Sequence, residues 1–233
     1  RHTVRDMHDY GVLDMTGVLR KSSNVAATKI ALSLEPEALW ETLSGNGFGV
    51  STGSGFPGEA DGYLADFHRW REIELATLSY GYGLSATAMQ LAQAYGVLAK
   101  DGHRVPVTLL SREEPVQQIP VFSPAVARAV RTMMESVVKK GGTAPKAAVQ
   151  GYRVAGKTGT VHKSVAGGYA EDRYVSLFAG LAPASAPRLV AVVVINEPSK
   201  DEHYGGLVAG PVFSSVMAGA LRLLNVTPDD APP

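Results

Sequence analysis

Apolar and polar positions change their period near the middle of the chain. In the first half apolar residues recur every three to four positions, as a buried helix face requires. The clearest case runs through Met89, Leu91, Ala92, Tyr95 and Leu98, with Ser85 as the expected cap and Gly102 as the stop. Val25 to Leu32 is an apolar stretch behind Lys21-Ser22-Ser23-Asn24, whose hydroxyl and amide side chains suit a helix start. Pro36 opens another helix, roughly Glu37 to Leu43, closed by Gly45 and Gly47. Ser123-Pro124 opens the cleanest one, with an apolar stripe of Val126, Val130, Met133, Met134, Val137 and Val138. Lys139 and Lys140 fall in its last expected turn, where they suit the helix dipole, and Gly141-Gly142 stop it. The Gly-rich passage from Gly53 to Gly62 is too short and too apolar for a linker and reads as a structured loop. Residues 1–20 carry no clear pattern, and Arg104 to Gln118 reads as a short hairpin or irregular excursion.

The second half shifts toward strands. Tyr152 to Val161 alternates bulky β-favouring residues with small ones. Tyr174 to Ala182 is a second strand. Arg188 to Asn196 is an almost continuous apolar run, which predicts a central strand covered on both faces. The short link Pro183 to Pro187 makes these two antiparallel, because parallel pairing needs a long crossover. Val208 to Leu224 is a final helix expected to pack across the sheet. The result is an α+β arrangement with two lobes: a mainly helical one over residues 1–110, and a helix plus antiparallel sheet over residues 111–225. Residues 226–233 read as a frayed tail.

Composition narrows the possibilities. The 233 residues suffice for a sizeable core, 45% are apolar, and the 22 basic and 22 acidic residues cancel. A neutral balance argues against a nucleic-acid partner. The absence of cysteine excludes disulfides and thiolate chemistry. No run of about 18 apolar residues occurs, so no transmembrane helix is predicted. The start, Arg1-His2-Thr3, is neither an initiator Met nor a signal peptide, and the chain is expected to be a piece of a longer one. The six histidines are scattered without paired ligand spacing, so neither a metal nor a cofactor is expected.

Candidate chemistry centres on Lys157-Thr158-Gly159-Thr160. On a strand, Lys157 and Gly159 point one way and Thr158 and Thr160 the other. Gly159 leaves bare backbone beside a cation and two hydroxyls, which suits a strand edge approached by an amide or carboxylate. Two other patterns carry less. Gly151 to Thr158 matches the phosphate-loop spacing, but Tyr152, Arg153 and Val154 favour a strand where that loop needs flexibility, and Gly159-Thr160 open a helix badly. Ser136-Val137-Val138-Lys139 matches a Ser-x-x-Lys nucleophile but lies toward the C-terminal end of its helix, away from the N–H groups that aid an oxyanion.

Ser22-Ser23-Asn24 followed far downstream by Lys157-Thr158-Gly159 resembles the second and third motifs of the penicilloyl-serine transferases. Gly55-Phe56-Pro57-Gly58-Glu59, Ser79-Tyr80-Gly81-Tyr82-Gly83-Leu84, Ala179-Gly180-Leu181-Ala182-Pro183 and Tyr204-Gly205-Gly206 extend the resemblance over nearly the whole chain. The sequence is most similar to class B penicillin-binding proteins of the division-specific, Gram-negative type. The family's nucleophilic Ser lies upstream of Ser-x-Asn, outside this chain. So do the first strands of the central sheet, the non-catalytic pedestal and the membrane-anchoring helix, and the fold is expected to be incomplete at its N-terminal side.

The resemblance implies a peptidoglycan D,D-transpeptidase. The upstream Ser would attack the D-Ala-D-Ala carbonyl of a stem peptide, release D-Ala, and pass the acyl group to an amine of a second stem peptide; a β-lactam would stay attached. Ser22 would relay a proton, and Asn24 would hold the catalytic Lys and the substrate amide. Lys157 would supply positive potential, and the Thr160 N–H one of two oxyanion donors. Ser23, Thr158, Gly159, His162, Tyr174, His203 and Tyr204 would line the ligand site, His203 standing where an aromatic is expected. Implied partners are stem peptides, β-lactams, the upstream part of the same protein, a septal glycosyltransferase and divisome proteins, at the periplasmic face of the inner membrane. A penicillin-sensing receptor, a D,D-carboxypeptidase or a β-lactamase would use the same motifs, though no Glu-x-x-Leu-Asn stretch marks a deacylating loop. A P-loop nucleotidase is the alternative from another class.

Overall fold

The computed structural model describes residues 3–111, 113–114, 116–166, 168–198 and 202–230. The chain divides into two compact units, one of Arg1–Val18 and Ser22–Val126, the other of Leu19–Lys21 and Ala127–Pro233. The division falls later than position 110, because the segment after it returns to pair with the first unit.

α1 (Met15–Lys21), whose Leu19–Lys21 end is counted with the second unit, starts in the first where the Asp14 carboxylate accepts the Gly17 N–H at 2.6 Å, a cap in the otherwise unreadable opening residues. Helices α2 (Asn24–Ala31) and α3 (Pro36–Gly45) follow. α4 (Glu72–Leu78), which periodicity did not predict, buries Leu75, Ala76 and Leu78. α5 (Ala88–Ala99) is capped by Thr87 rather than Ser85: Thr87 and Gln90 satisfy each other's backbone N–H. Ser85 is engaged instead in a bridge with Tyr63. The fully buried Gln90 amide also donates to the Val50 and Asp61 carbonyls at 2.7 and 2.8 Å, tying the Gly-rich passage to α5. Within that passage the Glu59 carboxylate accepts from the Thr52 N–H and hydroxyl and the Ser54 hydroxyl. Those hydrogen bonds, the Thr52 hydroxyl's foremost, hold its pKa down at about 2. The expected excursion is a minimal hairpin of β1 (His103–Arg104) and β2 (Ile119–Pro120).

The second unit is built on an antiparallel sheet in the order β3 (Ala155–Val165), β4 (Gly168–Ala182), β5 (Leu189–Asn196). The Arg188 to Asn196 run is therefore not central among the described strands; β4 is, and its second half is the part buried most completely. The continuous apolar character of β5 has another cause on this side of the sheet: α8 (Gly210–Leu223) packs on it and on β4. Phe213, Met217 and Leu221 of α8 meet Phe178, Val154 and Val149, with the Phe178 and Phe213 rings edge-on at 4.7 Å.

α6 (Pro124–Glu135) ends before Lys139 and Lys140, which lie in the turns that follow. Its inward residues are Ala127, Arg131, Met134 and Glu135, and Val126 is exposed. Of the expected stripe, Met134 and Val137 are buried and Val138 packs against the core. The inner face also carries the buried Glu135, whose carboxylate accepts the Arg153 Nε–H and one terminal N–H at 2.9 and 2.7 Å. The tail is not frayed over its described residues. Val226 packs against the core, the Tyr152 hydroxyl donates to the Val226 carbonyl, and the Asp229 carboxylate accepts from the Arg153 N–H and the Ser185 hydroxyl.

Candidate active site

Each group of motif residues is shaped within its own unit. In the second unit, Lys157-Thr158-Gly159-Thr160 lies inside β3, an outer strand that pairs only with β4 among the described residues. The alternation is as expected. Thr158 and Thr160 share the face toward α7 (Gly205–Val208): the Thr158 and Thr143 hydroxyls are 3.0 Å apart, and the Gly205 N–H donates to Thr160 Oγ1 at 3.0 Å. Lys157 turns back along the strand, its ammonium donating to the Thr158 carbonyl at 3.0 Å. Burial pushes its pKa down to about 8, so it remains largely cationic at neutral pH.

Two glycines allow this close seating. A Cβ on Gly205 would stand 2.3 Å from the Leu177 carbonyl oxygen and 2.5 Å from that of Gly159; one on Gly206 would stand 2.0 Å from the Thr143 carbonyl. No side chain fits at either position without moving backbone. The same face continues as a row of rings. His162 lies 4.7 Å from Tyr174, Tyr174 stacks on His203 at 4.1 Å and 13°, and His203 lies 4.5 Å from Tyr204. His162 Nδ1 is 2.8 Å from the Ala170 carbonyl, and the Ser176 hydroxyl donates to the His203 carbonyl, tying the row down at His162 and at the His203 backbone. The structure thus groups Lys157, Thr158, Gly159, Thr160, His162, Tyr174, His203 and Tyr204 in one region.

In the first unit, Ser22-Ser23-Asn24 is a turn into α2. Ser23 is the helix cap, accepting the Ala26 N–H at 3.0 Å. Ser22 has φ +56°, a left-handed conformation that costs a non-glycine residue about 1–2 kcal/mol. The Asp6 carboxylate holds the turn: it accepts the Ser23 hydroxyl at 2.5 Å and the Val25 N–H at 3.0 Å. Just before Ser22, Arg20 and Lys21 of the second unit donate to the Lys140 and Gly141 carbonyls at 2.6 and 3.0 Å.

Asp6, Thr143 and Gly205's amide contact were not visible in the sequence. Asp6 is 17 residues from its partner. Thr143 follows two helix-stopping glycines, where a polar residue attracts no notice. Tyr204-Gly205-Gly206 was legible only as part of a resemblance. Gly151 to Thr158 is no phosphate loop: Val149 bridges Tyr152, the strand begins at Ala155, and Lys157 and Thr158 stand within it, not at a helix start. Ser136 is likewise engaged, its hydroxyl donating to the Met133 carbonyl at 2.6 Å. Among the described residues no cluster of three or more metal-ligating side chains occurs.

Helices packed on an antiparallel sheet whose outer strand carries Lys-Thr-Gly form the transpeptidase fold of penicillin-binding proteins. Residues 1–218 match the penicillin binding protein transpeptidase domain, and the chain belongs to that family. It is 45% identical over 230 residues to the probable peptidoglycan D,D-transpeptidase PbpC of Pseudomonas aeruginosa, covering 98% of this chain and 40% of that protein. It is 44% identical over 228 residues to the peptidoglycan D,D-transpeptidase FtsI of Escherichia coli K12, covering 98% of this chain and 39% of that one. The transpeptidase domain of Burkholderia pseudomallei penicillin-binding protein 3 superposes with a TM-score of 0.93 at 48% identity, over 98% of this chain and 70% of that one. The chain therefore spans about 40% of the length of the two relatives named.

Proposed function

We propose that this chain is the part of a peptidoglycan D,D-transpeptidase that carries the Ser-x-Asn and Lys-Thr-Gly motifs. The observation that carries the reading is the outer strand β3, where a partly buried cation and two hydroxyls follow one another along an edge with no strand partner among the described residues. A stem peptide ending in D-Ala-D-Ala is an extended backbone with a terminal carboxylate, and it needs such an edge and such a charge. The Thr158 carbonyl accepts the Lys157 ammonium, which fits an orientation away from β4, and Thr160 has the same parity along the strand. The Thr160 N–H then faces the edge as an oxyanion donor, and its hydroxyl and that of Thr158 meet the carboxylate.

The nucleophile is a serine outside residues 1–233. It attacks the penultimate D-Ala carbonyl, and the C–N bond to the terminal D-Ala breaks. Ser22 passes the proton to the departing amine, and Asn24 orients the substrate amide. An amine of a second stem peptide then takes the acyl group and frees the serine, forming the cross-link. A β-lactam enters the same cycle and stops at the acyl-enzyme. Ser23 holds the turn, Gly159 admits the ligand backbone, and His162, Tyr174, His203 and Tyr204 form the wall against ligand side chains. Septal cross-linking with a glycosyltransferase and divisome partners, at the periplasmic face of an anchored protein, belongs to the same reading. No helix among the described residues is long and apolar enough to cross a membrane.

The test is D-Ala release and cross-link formation from a pentapeptide substrate by the complete protein. Both are expected in the wild type and lost in Lys157→Ala. Release of D-Ala with water as the sole acceptor would make it a carboxypeptidase, and acylation without any turnover a receptor.

A further inference from the structure

We infer that Gly205 and Thr143 are positioning residues for the two hydroxyls of Lys157-Thr158-Gly159-Thr160, each engaging an oxygen lone pair so that the hydroxyl proton is available to the ligand carboxylate. The inference rests on the proposed transpeptidase reading. A threonine hydroxyl can donate once and accept twice, whereas a backbone N–H can only donate. The Gly205 N–H occupies a lone pair of Thr160 Oγ1, so the Thr160 proton must point elsewhere. An ionised carboxylate only accepts, so a hydroxyl with one lone pair already filled and its proton left for the ligand suits it. The Thr158 and Thr143 hydroxyls, 3.0 Å apart, admit either direction. With a carboxylate bound, Thr158 donates to it and Thr143 donates to Thr158, so the anion also orders the second pair.

The glycines set the distances. With 2.3 Å to the Leu177 carbonyl and 2.5 Å to the Gly159 carbonyl, a Cβ at 205 forces the amide off Thr160. With 2.0 Å to the Thr143 carbonyl, a Cβ at 206 forces that segment off the strand. The first turn of α7 is therefore a seat on which both hydroxyls are aligned, and it contributes no side-chain atom to the ligand.

The test uses the complete protein and two labelled penicillins that differ only at the ring carboxylate, free in one and methyl-esterified in the other. The readout is the ratio of their second-order acylation rates. Wild type prefers the free acid, Thr160→Val collapses that preference, and Thr160→Ser keeps it. Gly205→Ala is expected to lower the ratio about tenfold or more, the size of one hydrogen bond to a charged group. The loss should fall on the free acid alone, with no added loss in a Thr160→Val background. A glycine that only packs would slow both compounds alike, and that result overturns the inference. Thr143→Val should lower the ratio by less, with Thr143→Ser restoring it. If Gly205→Ala does not fold by circular dichroism, the Thr143 pair carries the test, and an unchanged ratio in Thr143→Val overturns the inference. Acylation of the folded wild type by neither compound would remove the transpeptidase reading itself.

Discussion

Lys157-Thr158-Gly159-Thr160 lies inside a strand of 11 residues, whereas Ser22-Ser23-Asn24 is a turn at a helix start. The strand is held by its ladder to β4, by the buried ring of Phe178 beneath it and by a glycine seat at α7. The turn is held by the Asp6 carboxylate and the Ser23 cap, around a left-handed Ser22. The first arrangement is broken by cavities below it or bulk added against it. The second is broken by deleting a single side chain. Each therefore has its own failure signature, in global stability for the strand and in local chemistry for the turn.

The largest effect is expected from Phe178→Ala. The ring is fully buried, lies edge-on to Phe213 and fills the space beside Gly156. Its removal should cost about 3–5 kcal/mol in chemical denaturation. A loss under about 1 kcal/mol would mean the sheet does not depend on that contact. Asp6→Ala comes next. It leaves the Ser23 hydroxyl and the Val25 N–H without their acceptor, about 1.5–3 kcal/mol of hydrogen bonding to a charged group concentrated in one turn. Penicillin acylation of the complete protein should fall at least tenfold, with a smaller shift in melting than Phe178→Ala gives. Asp6→Asn, which keeps one acceptor oxygen, should lie between.

The charge on Lys157 gives a pH signature. Its folded pKa of about 8 is below the ordinary 10.5, so the native state sheds this proton first. The burial penalty on the cation is full below pH 8 and is relieved between about 8 and 10.5, so stability rises with pH across that window. Carboxylate capture runs the other way and should decline as pH passes about 8. Lys157→Arg, which keeps its charge, should remove that decline from the acylation profile. The smallest effect on stability is expected from Ser22→Gly. Relief of the left-handed strain and the added chain entropy of glycine nearly cancel, leaving stability within about 1 kcal/mol of wild type. Acylation should nevertheless be lost with the hydroxyl.

What the sequence could reveal follows the same division. The strand of Lys157, the antiparallel hairpin after it and the last helix were legible because period, turn residues and apolar runs are local signals. The face shared by Thr158 and Thr160 followed from alternation alone. α6 ends one turn early because the Ser136 and Val137 N–H groups turn back to the Met133 and Met134 carbonyls, while the apolar stripe runs on through the buried Val137. The Glu135–Arg153 pair, 18 residues apart, leaves no pattern in the sequence. β5 reads as an apolar run because α8 covers it, and such a run reports coverage and not a place in a sheet. The tail was misread because Asp229 finds its partners at Arg153 and Ser185, far away in sequence. Asp6 and Thr143 escaped for the same reason: a side chain that acts through one distant hydrogen bond leaves no pattern of its own.

The central claim is that residues 1–233 supply the helper motifs of an acyl-serine enzyme and not its nucleophile. Peptide mapping of a labelled-penicillin adduct on the complete, folded protein tests it most directly. The account predicts one adduct, on a serine outside residues 1–233, formed in wild type and strongly reduced in Lys157→Ala. An adduct on Ser22 or Ser136, or no adduct at all, would contradict it.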